Sequence, residues 1–102
     1  MTEKLTLRNV VGGEQVDTAD GRRADLVDPS TGEVFGSAPV SSAEDVDRAY
    51  AVAAEAFETW RDTTPSERQK ALLRLADLVE EHADELVALE SRNTGKPTGL
   101  TA

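Results

Sequence analysis

The chain has 102 residues, 38% of them hydrophobic, and carries 20 acidic against 11 basic side chains, for a net charge of −9. Such a balance repels phosphate over the whole surface and so disfavours nucleic acids and anionic membranes. Cysteine is absent, which removes disulfides, thiolate metal sites and cysteine catalysis from what these residues can do.

The first nine residues, "MTEKLTLRN", have no apolar run behind their charges, so no secretory signal is expected. No stretch approaches the roughly 18 apolar residues of a membrane span. The expectation is a soluble cytoplasmic protein of at most one domain.

In "LTLRNVVGGEQV" two apolar runs flank Gly12-Gly13, a pair able to take positive φ and suited to a two-residue hairpin turn. "DTADGRRAD" reads as a polar connector. It fails as a calcium loop, because Val16 stands where the first ligand belongs. "ADLVDPSTGEVF" predicts a second hairpin, with Pro29 presetting φ, Asp28 accepting a backbone hydrogen bond and Gly32 taking the left-handed position. Residues 1–40 form the β-hairpin region in this reading.

From residue 41 to 97 the pattern is helical. Ser41 or Ser42 caps a first helix, whose first turn carries Glu44, Asp45 and Asp47. Its apolar face runs Val46, Tyr50, Ala53, Phe57, Trp60 at helical spacing. Phe57 and Trp60 read as core anchors, or alternatively as an interface to something outside the chain. "RDTTP" ends that helix. Thr64 caps the next one, with Pro65 at its first position and Glu67 completing a capping box. Its face runs Leu72, Leu75, Ala76, Val79, then Ala83, Leu86, Val87, Glu90, a length that points to a bend or break near His82. Gly95 and Pro97 close it, and residues 98–102 form a tail. The fold class is α+β: two short hairpins followed by two or three helices.

Gly95-Lys96 raises the question of a phosphate loop. That motif needs a glycine five residues before its second glycine and Ser or Thr after the lysine, where this chain has Glu90 and Pro97. The pair also follows a helix, where carbonyls rather than amides point outward, so it reads as a helix stop. Glu80, Glu81, Asp84 and Glu85 form a solvated acidic face, since a working carboxyl needs burial or a partner to tune it. His82 has no second ligand or nucleophile in register. A DNA-binding helix pair with Arg68, Lys70 and Arg74 conflicts with the acidic first helix.

The run from "DPSTGEV" through "AFETW" and "PSERQKALLRLADL" to "ELVALESRNTGKP" resembles the N-terminal region of the aldehyde dehydrogenase superfamily, in the family's order and spacing. "RNTGKP" and "NVVGGEQVDTADGR" look most like the aminobutyraldehyde and betaine-aldehyde branch. The resemblance implies a piece of the aldehyde dehydrogenase fold, a truncated N-terminal fragment of one larger domain. In that family a cysteine attacks the aldehyde, hydride passes to NAD or NADP, and a glutamate helps hydrolyse the thioester. None of these groups maps onto residues 1–102, so the resemblance implies no catalytic residue, no cofactor-binding residue and no activity for this chain alone.

Its implied partner is the remainder of a dehydrogenase subunit or oligomer. One family site is implied in part. Some members hold a monovalent cation on backbone carbonyls before the "DPSTG" turn and on an acidic side chain before "TGKP". The matching positions are Leu26, Val27 and Asn93, with Asn93 departing from the acidic pattern. The rival expectation is an acidic helical interaction module that binds a full-length relative.

Overall fold

A computed structural model describes residues 4–101. Residues 1–3 of the predicted hairpin region and Ala102 of the predicted tail lie outside the described residues. The fold is α+β. Strands β1 (Leu5–Thr6), β2 (Asn9–Val11), β3 (Glu14–Val16), β4 (Arg23–Val27) and β5 (Val34–Pro39) precede helices α1 (Ala43–Trp60), α2 (Pro65–Glu81), α3 (Ala83–Thr94) and α4 (Thr98–Thr101). Two units divide the chain. One holds the residues up to Val27 together with Val34–Asp62; the other holds Asp28–Glu33 and the residues from Thr63 onward.

In the first unit β2 and β3 pair antiparallel around Gly12 and Gly13. Both glycines have positive φ, 63° and 80°, the mirror-image turn that matches strand twist. β4 and β5 form the second predicted hairpin, with a bulge between Leu26 and Val27. β1, which the sequence reading did not contain, pairs in parallel with β5 and completes a sheet of order β1-β5-β4. Gly36 permits that pairing: a Cβ there would stand 2.6 Å from the Leu5 carbonyl oxygen. Glycine inside a strand marks this kind of close backbone approach.

α1 begins at Ser42. The Ser42 Oγ accepts from the Asp45 amide, and the Asp45 carboxylate accepts in return from the Ser42 amide, a full capping box. The helix turns Ala49, Val52, Ala53 and Ala56 toward Val10, Val11 and Gly12 of the hairpin. These side chains are small enough to let a strand turn close in; a Cβ on Gly12 would lie 3.2 Å from Val52 Cγ1.

The predicted apolar face is therefore only partly right in its use. Tyr50 is 75% exposed, Phe57 54% and Trp60 47%, so Phe57 and Trp60 anchor no core among the described residues. The physical reason is that periodicity marks a face as apolar without saying what covers it.

In the second unit Thr64 and Glu67 form the predicted capping box, with Pro65 at the first helical position. The long helical pattern breaks at His82, whose backbone (φ −103°, ψ 19°) separates α2 from α3. Gly95 ends α3 in the left-handed conformation, φ 77°. The residues read as a tail hold the single turn α4.

Leu72, Leu73, Leu75 and Val79 of α2 are all exposed, Leu72 at 64%. Among the described residues no hydrophobic side chain is buried; only Thr18 and Gly36 are. Local chemistry thus specifies the caps and turns, while the apolar burial that normally dominates folding is only partial among these residues, with side chains such as Leu26, Phe35, Val52 and Leu89 half-buried.

Candidate functional site

Two polar clusters of the first unit surround Arg23 and Asp45. Arg23 opens β4, at the end of the stretch read as a connector. Its Nε donates to Ser37 Oγ at 2.8 Å, and its Nη2 donates to the Ser37 carbonyl at 3.0 Å and to the Leu7 carbonyl. Nη1 donates to Asp17 Oδ1 at 3.3 Å, an oxygen also 3.5 Å from Arg8 Nε. A planar fork of donors is what this arrangement of acceptors requires.

Asp45 closes the capping box and also accepts from the Ala19 amide at 2.9 Å, fastening the 17–22 loop to the first turn of α1. The loop is folded on itself: the Arg22 amide donates to Asp20 Oδ1 and the Gly21 amide to the Thr18 carbonyl. Hydrogen bonds from the Ser42 amide and then the Ala19 amide hold the Asp45 carboxyl below its ordinary 3.8. Lowered in the folded state, this group stabilises the fold above its unfolded pKa, and that contribution is lost as pH falls through the folded value. The expected outcome is an acid-labile loop: as pH falls below the ordinary carboxyl value and through the lowered one, the Ala19 amide loses protection relative to its intrinsic exchange rate in two-dimensional NMR. Asp45→Asn, acid-insensitive at this position, shows the reduced protection already at neutral pH.

An open groove of about 280 Å³ lies beside this cluster, lined by Asn9, Val10, Val11, Ser41, Asp45 and Val46 among others. Its polar groups are spent on one another, Asn9 Nδ2 donating to Ser41 Oγ at 2.9 Å and Asp45 holding its backbone donors. Among the described residues no hydrogen bond joins the Ser41 hydroxyl to a basic side chain, and the Asp45 carboxylate in the same groove accepts from Ala19 and Ser42.

In the second unit the Asp28–Glu33 turn is tightly made. Ser30 donates to Asp28 Oδ1 from both its hydroxyl (2.7 Å) and its amide (2.9 Å), and the Gly32 amide donates to the Asp28 carbonyl at 2.7 Å. The Ser30 hydroxyl bond leads in holding the Asp28 carboxyl below its ordinary value, with Arg92 a lesser contributor. Glu80, Glu81, Asp84 and Glu85 are exposed; His82 Nδ1 lies 3.3 Å from Glu85 Oε2, and nothing else in the cluster is brought together for chemistry. Among the described residues no group of three or more His, Asp or Glu side chains is placed to hold a metal ion.

Of the expected cation residues, Leu26 and Val27 flank the β4 bulge in the first unit, where a ladder irregularity re-aims backbone groups. Asn93 lies in the last turn of α3 in the second unit and is exposed.

The helix N-termini offer little to a phosphate. Phosphate binds where helix amides are open, but the N-termini of α1 and α2 are closed by the carboxylates of Asp45 and Glu67, and α3 starts with Asp84 and Glu85. Gly95-Lys96 sits at a carbonyl end, as the sequence implied. Sequence reasoning missed Arg23 altogether. It also missed the Ala19 contact of Asp45, although Ser42-x-x-Asp45 was visible as a cap. No helix among the described residues is long and apolar enough to cross a membrane.

Comparison with known proteins places these features. The aldehyde dehydrogenase family matches residues 16–102. Over 96 residues the chain is 42% identical to malonate-semialdehyde dehydrogenase 3 of Geobacillus kaustophilus, covering 94% of this chain and 20% of that protein. It is 44% identical over 90 residues to the mitochondrial benzaldehyde dehydrogenase of Antirrhinum majus, covering 86% of this chain and 17% of that one. The crystal structure of an NAD-dependent aldehyde dehydrogenase from Sinorhizobium meliloti shares its fold with a TM-score of 0.91 at 37% identity, over 96% of this chain and 20% of that chain. The chain thus spans about a fifth of the length of the relatives it matches. It corresponds to an N-terminal segment of such enzymes, and it belongs to the aldehyde dehydrogenase family.

Proposed function

We propose that these residues serve as the N-terminal scaffold of an NAD(P)-dependent aldehyde dehydrogenase, which oxidises an aldehyde to a carboxylic acid, and that the chain by itself catalyses nothing. The observation carrying this reading is a combination: the family's backbone is present at high similarity, yet no hydrophobic side chain is buried among the described residues. A segment whose strands, turns and caps are specified locally but whose apolar faces stay open is suited to pack against further protein. The family's thiol nucleophile has no counterpart in a chain without cysteine.

The parent's aldehyde is the finer part of the proposal. "RNTGKP" and "NVVGGEQVDTADGR" support 4-aminobutyraldehyde or betaine aldehyde, whereas the named relatives act on malonate semialdehyde and benzaldehyde. The cation role of Leu26, Val27 and Asn93 rests on the resemblance alone; a cytoplasmic location rests on the N-terminal sequence and on the lack of a long apolar run in the sequence. The rival reading, an acidic module that binds a full-length relative, draws on the same open faces; no observation favours it over the scaffold.

The test is complementation. The malonate-semialdehyde dehydrogenase of G. kaustophilus is produced without its matching N-terminal segment and mixed with this chain. We expect a complex on gel filtration and aldehyde-dependent reduction of NAD or NADP that neither piece shows alone. The substrate preference of the mixture then follows the truncated partner. A chain that forms no complex while the intact relative is fully active contradicts the scaffold role.

A further inference from the structure

Gly95 has two separate reasons to be glycine. Its φ of 77° is left-handed, which any Cβ makes costly. A Cβ would also stand 2.9 Å from Cγ and 3.6 Å from Cβ of Pro29. Pro29 is a ring that cannot rotate away, and it sits in the Asp28–Glu33 turn. That turn belongs to the same unit as α3, whereas the strands it joins belong to the other.

The C-terminal end of α3 is itself tightly tied. The Gly95 amide donates to the Ser91 carbonyl at 2.8 Å, Thr94 Oγ1 donates to the Glu90 carbonyl at 2.8 Å, and the Ser91 hydroxyl donates to the Lys96 carbonyl. On the turn's side, Ser30 and Gly32 donate to Asp28, and Asp28 feels the charge of Arg92 in the last turn of α3.

We infer that the Asp28–Glu33 turn is a latch seated on the α3 C-terminus, with Gly95 as the seat and Pro29 as the tooth, so that ordering of the turn and closure of the helix end are one event. A bare helix stop needs only the left-handed glycine; the Pro29 contact adds a coupling between residues more than sixty positions apart in sequence. Coupled sites perturb each other reciprocally, while independent ones are additive.

The test is amide hydrogen exchange on the full chain, read at the Gly32 and Gly95 amides, each of which donates a backbone hydrogen bond. Pro29→Gly is expected to speed exchange at Gly95 by about five-fold or more, and Gly95→Ala to do the same at Gly32, the scale of an ordinary contact coupling. The Val46 amide, bonded to the Ser42 carbonyl in the other unit, keeps its rate in both. If each variant perturbs only its own segment, the latch is wrong. It is equally wrong if the unmodified chain protects neither amide, since a closed latch protects both.

Discussion

Gly36→Val is expected to remove β1 from the sheet. The Cβ it introduces meets the Leu5 carbonyl at 2.6 Å and Leu5 Cβ at 3.0 Å, and backbone cannot yield as a flexible side-chain tip can. Overpacking of this kind costs about 1–3 kcal/mol, to which the lost ladder bonds add. Denaturant unfolding of the first unit, followed together with exchange of the Leu7 amide that donates to the Ser37 carbonyl at 3.0 Å, reads the effect. Gly36→Ala should show most of it, because the clash begins at Cβ. Gly99→Ala is the control, since a Cβ there has nothing within 4 Å. An unchanged Leu7 amide in Gly36→Val would mean that β1 is held by something other than backbone contact with β5.

Arg23→Ala is expected to cost nearly as much, by a different route. The guanidinium, whose side chain is only 25% exposed, bridges Leu7, Ser37 and Asp17. Hydrogen bonds to a charged group contribute roughly 1.5–3 kcal/mol; removal takes this donor from the Leu7 carbonyl, while the Ser37 carbonyl keeps the Leu7 amide. The Asp17 arm is the minor part, because Asp17 is more than half exposed and such ion pairs contribute little. Arg23→Lys should not rescue: one ammonium cannot reach Ser37 Oγ, two carbonyls and a carboxylate at once. The denaturation midpoint of the three proteins checks this, with alanine and lysine falling close together and well below arginine. Lysine at the wild-type midpoint would show that charge alone suffices.

These two residues also mark where sequence reasoning stops. Thr64 with Glu67 and Gly12 with Gly13 are legible because cap and turn chemistry acts within four residues. The break at His82 follows from a pattern too long for one helix. β1 is not legible in that way: two residues, Leu5 and Thr6, pair with a strand some thirty positions later, and only Gly36 inside a β-prone run hints that another backbone comes close. Arg23 lies in a charged stretch whose partners are carbonyls, which leave no mark in sequence.

On α1 the apolar spacing of Val46, Tyr50, Ala53, Phe57 and Trp60 is real, and Val46 and Ala53 do lie beside the hairpin, but with Ala49, Val52 and Ala56 for company, while Tyr50, Phe57 and Trp60 stay exposed. Large side chains cannot sit where a glycine turn meets the helix. For the candidate site, the negative reading of Gly95-Lys96 was legible, because a phosphate needs open amides and a helix C-terminus offers carbonyls. The contact of Pro29 with Gly95 was not, since it joins segments far apart in the chain.

These residues either perform oxidation or support it. Purified chain incubated with NAD or NADP and each of 4-aminobutyraldehyde, betaine aldehyde, malonate semialdehyde and benzaldehyde measures that directly. No aldehyde-dependent formation of reduced cofactor is predicted, at any chain concentration. Reduced cofactor accumulating in proportion to the chain would contradict the scaffold reading.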